Sequence, residues 1–136
     1  MDWIRALAFG YMVALSVAAA TNYIPGLTDA NGKAFGIFEL DIFDDLLHVA
    51  SAAWAGVSAF LSRQASEIFF RTFGPLYLAD GVMGLFTGVG YLDLGIIQYG
   101  VQPTSILQNI PPNVPHLVLG GVAAWAGYVL SRRAAA

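Results

Sequence analysis

The sequence contains no cysteine. Disulfides, thiolate zinc sites, iron–sulfur clusters and thiol nucleophiles are thereby excluded. Charge is almost as scarce. Asp, Glu, Lys and Arg make up 11% of the 136 residues against 57% hydrophobic, and the mean hydropathy is +0.65. A soluble domain carries about 25% charged residues. This chain cannot cover a globular surface with polar groups, so lipid is its expected solvent. A net charge of −3 offers no basic face and argues against a nucleic-acid partner. Serines lie in apolar runs without a neighbouring base, and no phosphate loop or dinucleotide fingerprint occurs. An enzyme is therefore not expected. The length suits a single domain.

What is present is four long apolar runs. The first extends from Ala6 to Ile24, 19 residues without a charge, close to the roughly 20 that cross a hydrocarbon core. Ala18-Ala19-Ala20 would suit signal cleavage, but Asp2 beside Arg5 leaves the leader no net side-chain charge, and retention is expected. The second run, Leu46 to Ser62, is rich in Ala, Ser and Gly, which let helices approach closely in lipid. The third, about Ile68 to Val89, carries Gly84-x-x-x-Gly88, and the fourth runs from Val114 to Ser131. The expected fold is an all-α, four-transmembrane-helix bundle in one membrane domain. Its helices fall near 4–24, 45–63, 67–89 and 114–132, with outer loops over 25–44 and 90–113. Arg5, Arg63, Arg71, Arg132 and Arg133 fall to one side and Lys33 alone to the other. The excess of basic residues places both termini in the cytoplasm.

One pattern occurs twice. It reads D-I-F-D-D-L-L-H over Asp41–His48 and N-I-P-P-N-V-P-H over Asn109–His116, and A-W-A-G follows each, at Ala53 and Ala124. These are the chain's only two histidines. Two helical hairpins related by an axis along the membrane normal are the expected architecture, as in parallel repeats. Asp45 and Asn113 are the expected helix N-caps, with Pro115 in a first turn, where a missing N–H costs little.

These features resemble the prokaryotic four-helix membrane family catalogued as domain of unknown function 4383. The likeness is carried by Gly36, Phe38, Glu39, Asp41, Asp45 and His48, by Phe73, Gly74 and Tyr77, and by Asn113 and His116. It covers nearly the whole chain. It implies a multi-pass protein of the prokaryotic inner membrane and no particular activity. Asn113 stands where an Asp is more usual, and Pro115 between it and His116 departs from the pattern.

Asp80 is the sharpest anomaly. A carboxylate inside a membrane helix costs about 3 kcal/mol or more and should face the bundle interior or water. It lies about 18 Å along its helix from Ile68 at 1.5 Å per residue, within reach of the histidines' level. Asp80, His48 and His116 thus form the candidate intramembrane site, either as packing and capping groups or as a site for an ion, a metal, haem or a proton. Glu39, Asp41 and Asp44 form a candidate outer acidic cluster, read either as a solvated loop or as a cation collector. The leading expectation is a non-catalytic structural or accessory bundle without a cofactor. Its partners would be the bilayer and other copies or subunits, met through small-residue faces. Ion, metal or haem binding, or a proton pathway, is the alternative.

Overall fold

The computed structural model describes residues 2–38 and 41–135. It is all-helical, with 76% helix and no strand among the described residues. Four long helices carry the fold: α1 (Trp3–Ala20), α2 (Ile42–Leu61), α3 (Arg63–Thr87) and α5 (Ile106–Trp125). A short α4 (Gly95–Tyr99) lies between α3 and α5. α5 continues through a π-helical stretch, Ala126–Leu130, into α6 (Ser131–Ala135). Trp3–Ala20 and Ile106–Arg133 are long and apolar enough to cross a membrane. α2 and α3, at 20 and 25 residues, have the length but do not meet the same measure of apolarity.

Each long helix begins where a side chain can take up its first free N–H groups. Asp2 accepts from Arg5 N and opens α1. α2 opens on Asp41, not Asp45. Asp41 is extended, accepts from Phe43 N and Asp44 N, and in return donates its own N–H to Asp44 Oδ2, a reciprocal capping box. Asp45 is instead one turn inside. α5 opens on Ser105, eight residues before the expected Asn113, through a second box with Gln108. The helix therefore passes through Pro111, Pro112 and Pro115. Their missing N–H groups release the carbonyls four residues back, including those of the exposed Leu107 and Gln108, which solvent can reach.

The other boundaries move for related reasons. α1 stops at Ala20 rather than 24, where Thr21 turns its hydroxyl back to Val17 O and a 3₁₀ turn follows. α3 begins at Arg63 rather than 67, because Ser62 ends α2 and caps α3 at once. Gly88 does not complete a packing motif with Gly84. It is the left-handed C-cap of α3, at φ 80°. The expected loop over 90–113 holds α4 and the first two turns of α5.

α1 packs on α2 and α3 packs on α5, so the chain forms two hairpins with α2 against α3 between them. The α3–α5 contact is backbone-close, and a Cβ at Gly120 would overlap the Leu78 backbone. Between the hairpins stands an aromatic column on α3. Phe69 stacks on Phe73 at 4.8 Å and Phe73 on Tyr77 at 3.9 Å, with Tyr11 of α1 edge-on to Phe69, Phe70 and Phe73. Pro75 would leave the Arg71 carbonyl without its helical donor; the Tyr128 hydroxyl fills that place at 3.1 Å.

The two ends of the bundle differ. At one, Arg5 donates to Ala59 O and Phe60 O, Arg63 to Ser131 O, and Arg71 to Gly127 O. These guanidiniums bind backbone carbonyls, and the Gly127 carbonyl lies in the π-helical stretch. At the other end lie the histidines. Polar groups such as Asp44, Asp45, His48, Asp80 and Asn113 are buried, while Val13, Val49, Val57, Phe60, Phe86 and Val118 are exposed on the long helices.

Candidate functional site

The structure brings Asp80, His48 and His116 together. Asp80 is 2% exposed on the α3 face toward α5. One carboxylate oxygen, Oδ1, accepts from Tyr91 N at 2.8 Å and Leu92 N at 3.0 Å. The other, Oδ2, bonds His116 Nδ1. The chain reverses just after α3 to make this arrangement, and a Cβ at Gly90 would overlap the Asp80 carboxylate. The His116 ring lies 4.8 Å from Tyr77 and 6.3 Å from His48, centroid to centroid. The aromatic column therefore ends on the imidazole pair.

With Nδ1 engaged by a carboxylate, His116 is oriented and its Nε2 is the nitrogen left for other partners. His48 is 6% exposed, and its Nδ1 has no hydrogen-bond partner among the described residues. The Tyr77 hydroxyl faces Ser51 without reaching hydrogen-bond geometry. Asp45 accepts from the Tyr23 hydroxyl at 2.8 Å through Oδ2, and its Oδ1 is unpartnered. That bond and the Asp45 charge push the Tyr23 phenol above its usual range.

A half-open cavity of about 930 Å³ covers these groups. His48, Asp80 and His116 line it, with Asn109 and Asn113 from α5. Asp41, Asp44 and Asp93 line it as well, with Lys33, Phe35, Phe38 and Tyr99. Of the expected acidic cluster, Asp41 and Asp44 reach the cavity wall, and Glu39 lies outside the described residues. Asp41 is committed to its cap and to the Tyr99 hydroxyl at 2.9 Å. Asp44 and Asp93 line the same cavity, and neighbouring carboxylates repel unless a proton or a cation lies between them. Asn113, buried within α5 rather than capping it, donates to Asn109 O at 2.8 Å. Among the described residues no group of three or more His, Cys, Asp or Glu is arranged to hold a metal ion.

Sequence reasoning missed Asp93 and the Tyr91 and Leu92 amides. The single acid in the second loop was the available signal for Asp93. The amides leave none, because their role depends on the turn that follows α3. Comparison with protein-family models finds no match, and neither does comparison with curated proteins or with solved structures. The likeness to the four-helix family named above thus rests on its motifs alone.

Proposed function

We propose that this chain is a small, non-catalytic multi-pass membrane protein whose work is done in the cavity at its histidine end. The reading takes α1, α2, α3 and the long α5–α6 rod as four spans with both termini cytoplasmic. It treats the resemblance to the prokaryotic four-helix family as real. The cavity then faces the outside and admits a small polar solute, with the Asp80–His116 pair on its lining. The observation that carries this is that carboxylates, imidazoles and carboxamides are buried at the histidine end while large apolar side chains such as Val13, Val49, Val57, Phe60, Phe86 and Val118 are exposed along the long helices. In water such an arrangement loses on both faces. In lipid, intramembrane ionisable groups turn inward toward each other or a water-filled space. The arginines at the opposite end agree in sense with the rule for cytoplasmic loops.

The absence of cysteine makes the test direct. A single Ala18→Cys, on the α1 wall of the cavity, should react with a membrane-impermeant thiol reagent added outside intact cells. Arg133→Cys should react only after the membrane is opened. Labelling of both positions from the same side, or of Ala18→Cys from neither, would sink the reading.

A second reading, an accessory subunit without a ligand, is favoured by one observation. Asp80 is already satisfied by two amides and an imidazole, as a purely structural tie would be. Under that reading the double variant His48→Ala, His116→Ala still copurifies with its partner.

A further inference from the structure

Resting on the four-span reading but not on the cavity, we infer that the α1–α2 hairpin holds one anionic phospholipid, its acyl chain in a groove between the two helices and its phosphate on Arg5.

The groove is open, holds about 770 Å³, and shares no lining residue with the cavity of His48 and His116. Its α1 wall is one helical row. Arg5, Phe9, Met12, Ser16 and Ala19 recur at steps of three and four, and all but Arg5 line the groove. Its α2 wall runs from Val49 to Leu61, about 18 Å at 1.5 Å per residue. That is close to one leaflet's share of a hydrocarbon core ~30 Å thick. Ser16 carries the one hydroxyl on the lining.

The A-W-A-G segments explain why the groove lies here. In the second copy a Cβ on Gly127 would overlap the Phe70–Arg71 backbone, so α3 covers that glycine. In the first copy the atoms nearest to a Cβ on Gly56 all belong to the Met12 side chain. A methionine is flexible and fits an irregular neighbour. Trp54 meets Phe69 of α3 edge-on at 5.0 Å and stays out of the groove, and the small Ala53 leaves its wall low.

Arg5 selects the headgroup. Its guanidinium is pinned at the Phe60 end of the groove by Ala59 O and Phe60 O, at 2.8 and 3.1 Å. Phe9, one turn along the same row, meets Phe60 edge-on at 6.1 Å. The two carbonyls engage Nε and Nη2. Nη1 makes no hydrogen bond, and no carboxylate pairs with Arg5, among the described residues. A half-exposed guanidinium with open donors, fixed where an apolar groove ends, suits a phosphate. The cytoplasmic leaflet carries anionic headgroups. A second copy of the chain fits the groove less well. Copies inserted in the same direction would meet through this face about a two-fold axis along the membrane normal. That contact sets Arg5 against its counterpart, and facing like charges oppose docking.

The test uses the full chain, recovered from carbonate-washed membranes into detergent micelles, with dioleoylphosphatidylglycerol and dioleoylphosphatidylcholine as probes. Native mass spectrometry should show one phosphatidylglycerol retained per chain, at least about tenfold more tightly than phosphatidylcholine, the scale of one charge-assisted hydrogen bond. Arg5→Gln should erase that preference. Ala53→Trp puts a bulky ring on an exposed groove position and should weaken retention of both lipids. Val13→Trp, exposed on α1 and off the groove, should weaken neither. Glycerol phosphate, a headgroup without chains, should not displace phosphatidylglycerol. Equal retention of the two lipids overturns the inference, as does a preference that survives Arg5→Gln. So does retention that Ala53→Trp leaves unchanged, displacement by glycerol phosphate, or a dimer that Ala53→Trp dissolves. Arg5 also ties α1 to α2, so if Arg5→Gln does not fold, the lipid preference of the parent protein and the two tryptophan variants decide. In all these outcomes the chain has stayed with the membrane, and the four-span reading stands. Release by the carbonate wash removes that reading itself.

Discussion

Asp80 of α3 and His116 of α5 meet through Oδ2 and Nδ1, while the other oxygen of Asp80 holds the backbone of Tyr91 and Leu92. One carboxylate thus joins two helices and the turn between them. Asp80→Ala leaves two amides and an imidazole without their acceptor. A buried group stripped of its partner costs about 1–3 kcal/mol. A loss of at least about 3 kcal/mol is therefore expected, seen as a large drop in the thermal midpoint in detergent. Asp80→Asn keeps a carbonyl oxygen and should lose less. Equal melting of Asp80→Ala and the parent protein would remove Asp80 from this role.

The helix starts can be checked separately. Asp41→Ala and Ser105→Ala each delete an N-cap and should cost about 1 kcal/mol. Amide exchange should quicken at Phe43 and Asp44 in the first and at Gln108 in the second. Deletion of the Asn113 side chain should leave the exchange at Gln108 unchanged, because Asn113 sits two turns inside α5.

The α3–α5 contact has no room for a methyl group at Gly120. Gly120→Ala should force the two helices apart at Leu78 and destabilise by about 1–3 kcal/mol, the usual range for overpacking. Gly121→Ala, one residue on, meets nothing within 4 Å and serves as the matched control. Similar melting of the two variants would show that the helices are not this close.

Tyr91 offers a pH probe outside the long helices. Burial, and then the Asp80 charge, push its phenol above the ordinary value of 10.0. Above that ordinary value the folded protein keeps a proton that the unfolded chain has released, so stability falls as pH rises past it. Site-resolved carbon NMR of the Tyr91 ring should show ionisation beginning above pH 10.0 and returning toward it in Asp80→Asn. Ionisation at the ordinary value in both proteins would contradict the proximity of phenol and carboxylate.

The four apolar runs were legible because burial and lipid both select them, and the long helices lie on those runs. Asp80, His48 and His116 were legible as a group because charge is so scarce that each polar residue in an apolar run stands out. Their meeting needed the fold. The caps were misread for a local reason. Asp41, Asp44 and Asp45 all offer an oxygen near the same helix start, and the reciprocal bond between Asp41 and Asp44 decides among them. α5 was cut short because Pro111 and Pro112 read as loop and Asn113 after them as the cap. The Ser105–Gln108 box starts the helix upstream, and the exposed first turns tolerate the carbonyls the prolines release. The return at Gly88–Leu92 has no periodicity to read, and so its amides stayed invisible.

Ser62 is the whole connection between α2 and α3, and both of its neighbours are helical. Its N–H is tied to Ser58 O and its hydroxyl to Ala65 N. A joint of one residue has only two rotatable backbone bonds, and here the flanking ties restrain even those. The two halves of the molecule therefore have no slack with which to slide past each other. Any movement that widened the far mouth would have to pivot on this serine, like the covers of a book on its spine.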